Sequence, residues 1–352
     1  MAVMSKRLHP SGGLSYAMVG GGTDSGIGAL HRAAAQAAGL QLVAGCFSRD
    51  PVRNRAAGAA HGLDPWRVAG SLEALIDAES AQAGGARLLV VCTPHVHHAA
   101  AVSLALRHGW RVVVEKPLCA SAQDVRALDR ERDALGQTTD AVVLPLVMRY
   151  MPGIERLRSE LVAGTIGDVR WLTLEYLQGR ERHAHDEWRF QRRSAGPAGT
   201  LADLGPHAWD LCHWLSREEP VVRAADVRTL NPARELDDSA WVWLDLGTDV
   251  RGQVTLCQAA SGLPSECRVR VFGSTGMREW RLSSEAARAG GLDGLYRFAF
   301  EAFYRDVTRW HRGTPVGDLP TLPRWQDGVR GVSLTQACLE AGASRGPRET
   351  DQ

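Results

Sequence analysis

The segment Val19-Gly20-Gly21-Gly22-Thr23-Asp24-Ser25-Gly26-Ile27-Gly28 has the composition of a phosphate cradle. Small residues let backbone approach a pyrophosphate, and a helix starting behind them offers unpaired N–H groups and a partial positive charge. Gly20, Gly22, Gly26 and Ile27 are the candidate contacts. The spacing departs from G-x-G-x-x-G, because position 25 is serine, so the loop reads as longer than the standard one. Some 20 residues further on an acid commonly binds the adenosine ribose of NAD. Ser48 and Arg49 stand there instead, a pair suited to a 2′-phosphate, so the cofactor expected is NAD or NADP, with a tilt toward NADP. The histidines His95, His97 and His98 have no cysteine or carboxylate at a recognised ligand spacing, and no metal is expected.

A phosphate cradle works only between a strand and a helix, and the flanking sequence supplies both. Over the first 145 residues short β-rich runs alternate with Ala-rich helical stretches, the mark of parallel strands joined by crossover helices. Strands are expected at 15–20, 41–47, 87–92, 111–115 and 141–146, and helices at 29–38, 52–61, 72–78, 97–108 and 123–135. Beyond Met151 the runs 169–177, 240–246, 251–257 and 268–272 alternate apolar with polar residues, as antiparallel strands with one covered face do. Helices are expected at 153–163, 209–215, 295–311 and 328–341. The fold class is therefore α/β, with a doubly wound parallel sheet at 1–146, a second α/β domain with a mostly antiparallel sheet at 147–342, and a polar, frayed tail at 343–352.

Composition narrows the function classes. Lys plus Arg number 41 against 40 Asp plus Glu, so no global field favours nucleic acid or an anionic membrane. No apolar run reaches the roughly 18 residues of a spanning helix, and the N-terminus lacks the apolar core of a secretory signal. Seven widely spaced cysteines without a C-x-x-C pair read as reduced thiols, and a cytoplasmic location is expected.

Three further segments carry a resemblance: Cys92-Thr93-Pro94-His95-Val96-His97-His98 and Glu115-Lys116-Pro117-Leu118, each at a strand end, and Gly199 to Asp210, which holds Asp203-Leu204-Gly205-Pro206-His207. Together with the glycine loop they resemble the Gfo/Idh/MocA oxidoreductases over nearly the whole chain. The resemblance implies an N-terminal Rossmann domain, a C-terminal domain whose open sheet lines the substrate site and mediates dimers or tetramers, and hydride transfer between a nicotinamide and a secondary hydroxyl of a sugar, amino sugar or cyclitol. It implies Lys116, Asp203 and His207 as the catalytic group. In that assignment His207 takes the hydroxyl proton as a base titrating near neutrality and Lys116 holds the oxygen as charge develops. Asp203, four residues before His207 and on the same helix face, orients the imidazole and favours its cation; Pro206 between them fits only a helix start or a kink.

The resemblance also assigns Thr93, Pro94, His98, Glu115, Trp188 and Arg189 to the cofactor side, with His95 replacing a usual asparagine. The polar stretch from Gln178 to Arg193, with Arg180 and His185 as candidate substrate contacts beside Asp203, Lys116 and His207, is expected to line the substrate site. Its His185, Asp186 and Glu187 can favour a cationic amino sugar or aminocyclitol. Two other functions remain open from the residues: a glycosidase that retains NAD and cleaves by transient oxidation, and a non-catalytic dinucleotide sensor.

Overall fold

The computed structural model describes residues 14–136, 139–179 and 188–343. Its N-terminal part runs β1 (Leu14–Gly20), α1 (Gly26–Ala37), β2 (Leu40–Cys46), α2 (Pro51–Ala60), α3 (Leu72–Ser80), β3 (Leu88–Cys92), α4 (His98–Arg107), β4 (Arg111–Val114), α5 (Ala122–Ala134) and β5 (Val142–Val143). The five strands are parallel in the order β2-β1-β3-β4-β5. Leu88, Leu89, Val90 and Val91 of β3 are all sealed from solvent, as expected of a central strand covered on both faces. The strand order reverses between β1 and β3, and ligands of such sheets bind in the crevice outside that switch point.

The remainder runs α6 (Pro152–Val162), β6 (Val169–Leu177), α7 (Arg192–Ala195), α8 (Thr200–Asp203), α9 (Gly205–Ser216), β7 (Pro220–Arg228), β8 (Ser239–Leu246), β9 (Val250–Cys257), β10 (Glu266–Gly273), β11 (Met277–Arg281), α10 (Leu282–Arg288), α11 (Leu292–His311) and α12 (Trp325–Ala343). Six strands form a second sheet, β11-β10-β6-β9-β8-β7, antiparallel except where β6 lies parallel to β9. Alternate residues of β6 and β8, such as Leu172, Leu174, Val242 and Leu244, are buried, while Trp171, Trp241 and Trp243 on the opposite face remain 38–50% exposed.

Several expected boundaries move, each for a local reason. The strand expected at 141–146 shrinks to two residues, because Leu144 turns its N–H to Pro323 and Pro145 has none to give. Helix α1 begins at Gly26 instead of Ala29, since the Ser25 hydroxyl accepts from the Gly28 N–H at 3.1 Å and so starts the helix through its glycines. Helix α9 likewise begins at Gly205, with Pro206 in its first turn where the missing N–H costs nothing. Strand β7, an edge strand opened by Pro220, lacked a clean alternation of apolar residues and was not expected; β11, α7, α8 and α10 were also not expected. Tail residues 344–352 lie outside the described residues. Among the described residues no helix is long and apolar enough to cross a membrane.

Candidate active site

A cavity of about 1450 Å³ lies where the C-terminal ends of β1, β3 and β4 face β6, α8, α9 and the start of α11. One end is the glycine loop. Gly20 has a φ of +74°, and a Cβ there would meet the Cys92 carbonyl at 2.4 Å, so the crossing of β1 and β3 admits only glycine. Gly28 is packed as closely, with a Cβ position 2.5 Å from the Gly21 Cα. Gly22 and Gly26 line the cavity with Ile27, but neither is sterically required to be glycine. The glycine at 28, not those at 22 and 26, therefore sets how close the loop and helix approach.

Ser48 and Arg49 line the same end, beyond β2. Asp50 is spent as the N-cap of α2, accepting from Val52 and Arg53 N–H groups at 2.8 and 3.0 Å, while Ser48 and Arg49 line the cavity. Thr93 and Pro94 form the adjoining wall, with the Thr93 hydroxyl buried and without a hydrogen-bond partner among the described residues. His98 also lines the cavity. It is buried, and its ring nitrogens lie 2.8 Å from the Pro117 carbonyl and 2.9 Å from that of Thr93, so it ties the two loops together.

Glu115 lines the cavity as well. Its carboxylate accepts from His31 Nε2 at 2.8 Å, and His31 Nδ1 meets the Tyr304 hydroxyl of α11 at 2.6 Å. Burial opposes the carboxylate, but the His31 contact outweighs it and holds Glu115 below its ordinary value. The residue thus anchors the strand end that carries Lys116.

At the other end Lys116 Nζ donates to Asp203 Oδ1 at 2.6 Å and to the Asp203 backbone carbonyl at 2.7 Å. Arg189 Nε reaches the same oxygen at 3.3 Å, and Gln258 Nε2 donates to Oδ2 at 2.8 Å. The carboxylate therefore pairs with Lys116, and the expected imidazole orientation by Asp203 does not hold. The physical reason is a break in the helix: Asp203 ends α8, Leu204 intervenes, and His207 belongs to α9, so the spacing of four does not put both on one helix face. Nor is His207 poised near neutrality. Burial and the Lys116 charge lower it to about 3, against weaker raising effects of Glu115 and Asp203, and its Nδ1 has no hydrogen-bond partner among the described residues.

Trp188 and Arg189 both line the cavity, with Trp188 set edge-on to His95 at 4.8 Å between ring centroids. Arg189 is thus drawn to Asp203 instead of lying only on the cofactor side. His95 is 3% exposed, has an Nδ1 without a hydrogen-bond partner among the described residues, and is kept neutral by burial and by neighbouring His98 and Lys116. Arg180 and His185 lie outside the described residues. Among the described residues no three metal-binding side chains cluster.

Gln178 lines the wall as expected, and the structure adds Tyr176, Ser265 and Tyr296 to it, linked in pairs: Tyr176 to Tyr296 by their hydroxyls at 3.1 Å, and Gln178 to Ser265 at 3.2 Å. One signal was available for Lys116: the chain has only two lysines, Lys6 and Lys116, among its 41 basic residues, so arginine serves nearly everywhere that a surface cation suffices.

Two family models match this chain. Residues 14–139 match the oxidoreductase family with an NAD-binding Rossmann fold, and residues 154–279 match the C-terminal domain of the same family. Inositol 2-dehydrogenase 1 of Saccharopolyspora erythraea is 26% identical over 325 residues, covering 89% of this chain and 90% of that protein. The rhizopine catabolism protein MocA of Rhizobium meliloti is 25% identical over 324 residues, with coverages of 89% and 91%. An inositol dehydrogenase homologue from Azotobacter vinelandii, crystallised with NAD+, shares the fold with a TM-score of 0.82 at 24% identity over 96% of this chain and 97% of that one. With both halves matched in order and the Lys116–Asp203 contact joining them, the chain belongs to the Gfo/Idh/MocA family of NAD-binding oxidoreductases.

Proposed function

We propose that this oxidoreductase interconverts a secondary hydroxyl and a ketone on a sugar, amino sugar or cyclitol, using NAD or NADP. The observation that carries the reading is the meeting of Lys116 from the nucleotide side with Asp203 and His207 from the other side, in one cavity that also holds the glycine cradle. The fit of a dinucleotide is supported by two features. The cradle is too tight for a Cβ at Gly20, and three buried polar atoms on the cavity wall, Thr93 Oγ1, His95 Nδ1 and His207 Nδ1, have no hydrogen-bond partner among the described residues. Gly20, Gly22, Gly26 and Ile27 would hold the phosphates, Ser48 and Arg49 the adenosine ribose, and Thr93, Pro94 and Trp188 the nicotinamide side. When bound, the cofactor supplies the hydride acceptor or donor.

The rest of the chemistry belongs to the chain. An ammonium has three N–H donors, and Asp203 takes two from Lys116, which leaves one for the reacting oxygen. His207 is neutral at every pH above about 3 and can accept the hydroxyl proton. So weak a base does not ionise an alcohol beforehand; it receives the proton as the carbon loses hydride, while Lys116 stabilises the oxygen. Asp203 fixes Lys116 and keeps its charge at the site.

The name of the inositol relative supports a polyol ring as substrate, and the hydroxyl and amide groups of Tyr176, Tyr296, Gln178 and Ser265 suit hydroxyl recognition. Residues 1–146 would serve the nucleotide and 147–342 the substrate. The exposed Trp171, Trp241 and Trp243 face supports a homodimer or homotetramer, and seven free cysteines fit a reducing cytoplasm. A panel of polyols, sugars and aminocyclitols with each dinucleotide, followed at 340 nm, tests the reading. Absence of turnover with every ring polyol, in protein that binds NADH, would overturn it.

A further inference from the structure

Asp203 sits on a four-residue helix, too short to hold its own shape, so the position of its carboxylate must come from outside. Part of the support is Asp237, whose carboxylate accepts from the Gly199 and Leu201 N–H groups at 2.7 and 2.8 Å and caps the helix. The other part is Gln258, which follows β9 behind the cleft wall and is fully buried. Its backbone is pinned at both ends: the N–H donates to the Asp238 carbonyl at 2.7 Å, and its carbonyl accepts from Arg234 at 3.0 Å. Its side-chain amide then makes three bonds. Oε1 accepts from the Thr200 hydroxyl at 2.7 Å, while Nε2 donates to Asp203 Oδ2 at 2.8 Å and to Gln178 Oε1 at 3.1 Å.

This pattern fixes which way each group faces. A hydroxyl proton on one side and two oxygen acceptors on the other allow one orientation of the Gln258 amide. Since Gln178 Oε1 is consumed by that amide, the Gln178 NH2 is turned to Ser265, and both of these residues line the cavity. Asp203 Oδ2 is consumed in the same way, so Oδ1 is the oxygen offered to Lys116.

We propose that Gln258 is a positioning residue: one buried amide aims the Asp203 carboxylate at Lys116 and, through its second N–H, holds Gln178 so that its NH2 is turned to Ser265 on the cavity wall. It touches neither substrate nor cofactor and acts through those two residues. The kinetic part of this inference rests on the dehydrogenase reading; the spectroscopic part does not. With lysines only at 6 and 116, protein labelled with 13C-lysine gives two ε-carbon signals, and Lys6→Arg identifies which belongs to Lys116.

Gln258→Leu removes both donors at similar volume, and Thr200→Val is a milder variant that releases only the amide carbonyl. In Gln258→Leu the Lys116 signal should shift or broaden while that of Lys6 stays in place, kcat should fall about 10-fold or more, and NADH binding should stay within about twofold. Thr200→Val should move the same quantities less. An unmoved Lys116 signal in either variant, with NADH binding intact, overturns the positioning role. If no ring polyol turns over in the wild type, the dehydrogenase reading fails by itself, and the lysine signal still decides the role of Gln258.

Discussion

At the scale of single residues, the site is organised by where charge is allowed to remain. Lys116 is paired with Asp203, and burial together with the Lys116 charge keeps His207 neutral. Lys116→Ala should lower kcat by about 10²- to 10⁴-fold, the range of a lost electrostatic and proton-handling group, with NADH binding little changed; stopped-flow turnover and fluorescence titration check both. The pH dependence follows from His207 as well. Its folded value of about 3 lies below the unfolded value near 6.5, so its contribution to stability is present above about 6.5 and is lost as pH falls toward 3. Melting temperature should therefore drop between pH 7 and 4, and His207→Gln, which has nothing to protonate, should lose less over that interval. An equal drop in both proteins would contradict the assignment.

At the scale of elements, a loop and a helix start decide how the nucleotide end is shaped. Ser25 caps α1, and its hydroxyl allows the helix to begin through glycines that otherwise disfavour it. Ser25→Ala should cost about 1 kcal/mol of stability, measured by urea unfolding. Gly28→Ala acts differently, since its new Cβ would fall 2.5 Å from the Gly21 Cα and push the loop out of the cradle. Dinucleotide affinity should weaken by about 10-fold or more, whereas alanine at Gly26, which meets nothing within 4 Å, should leave the loop's shape in place. Calorimetric titration of the two variants with NADH distinguishes them.

At the scale of the whole molecule, the two halves are joined by a buried polar chain as well as by apolar packing. His31 from α1 links Glu115, next to Lys116, with Tyr304 of α11. Burial disfavours a charged His31, but Cys92 and Glu115 outweigh it and raise the imidazole to about 10. The stability it gives is full below about 6.5 and is lost as pH rises through about 10. Tyr304→Phe leaves the His31 Nδ1 without its partner in a sealed site and should cost about 1 to 3 kcal/mol, read from chemical denaturation. A further prediction concerns assembly: replacing the exposed Trp241 and Trp243 together by serine should convert a sheet-mediated oligomer to a smaller species by sedimentation, with folding retained because both side chains face outward.

Much of this was legible in the chain itself. Apolar runs with a period of two or of helical spacing, broken by glycine and proline, placed most strands and helices within a few residues, because such patterns reflect which face must leave water. The glycine loop, Lys116, Asp203, His207, Thr93 and Trp188 could be named from local motifs, and all of them line the cavity. What the chain alone did not decide was who pairs with whom. Asp203 bonds Lys116 from 87 positions away instead of His207 four positions on, His98 bonds the Pro117 carbonyl, Glu115 pairs with His31, and Gln258 reaches Asp203 across 55 positions. The physical reason is that hydrogen bonds and ion pairs are formed by proximity in space, and that proximity appears only when the elements of both sheets are brought together around a shared cleft.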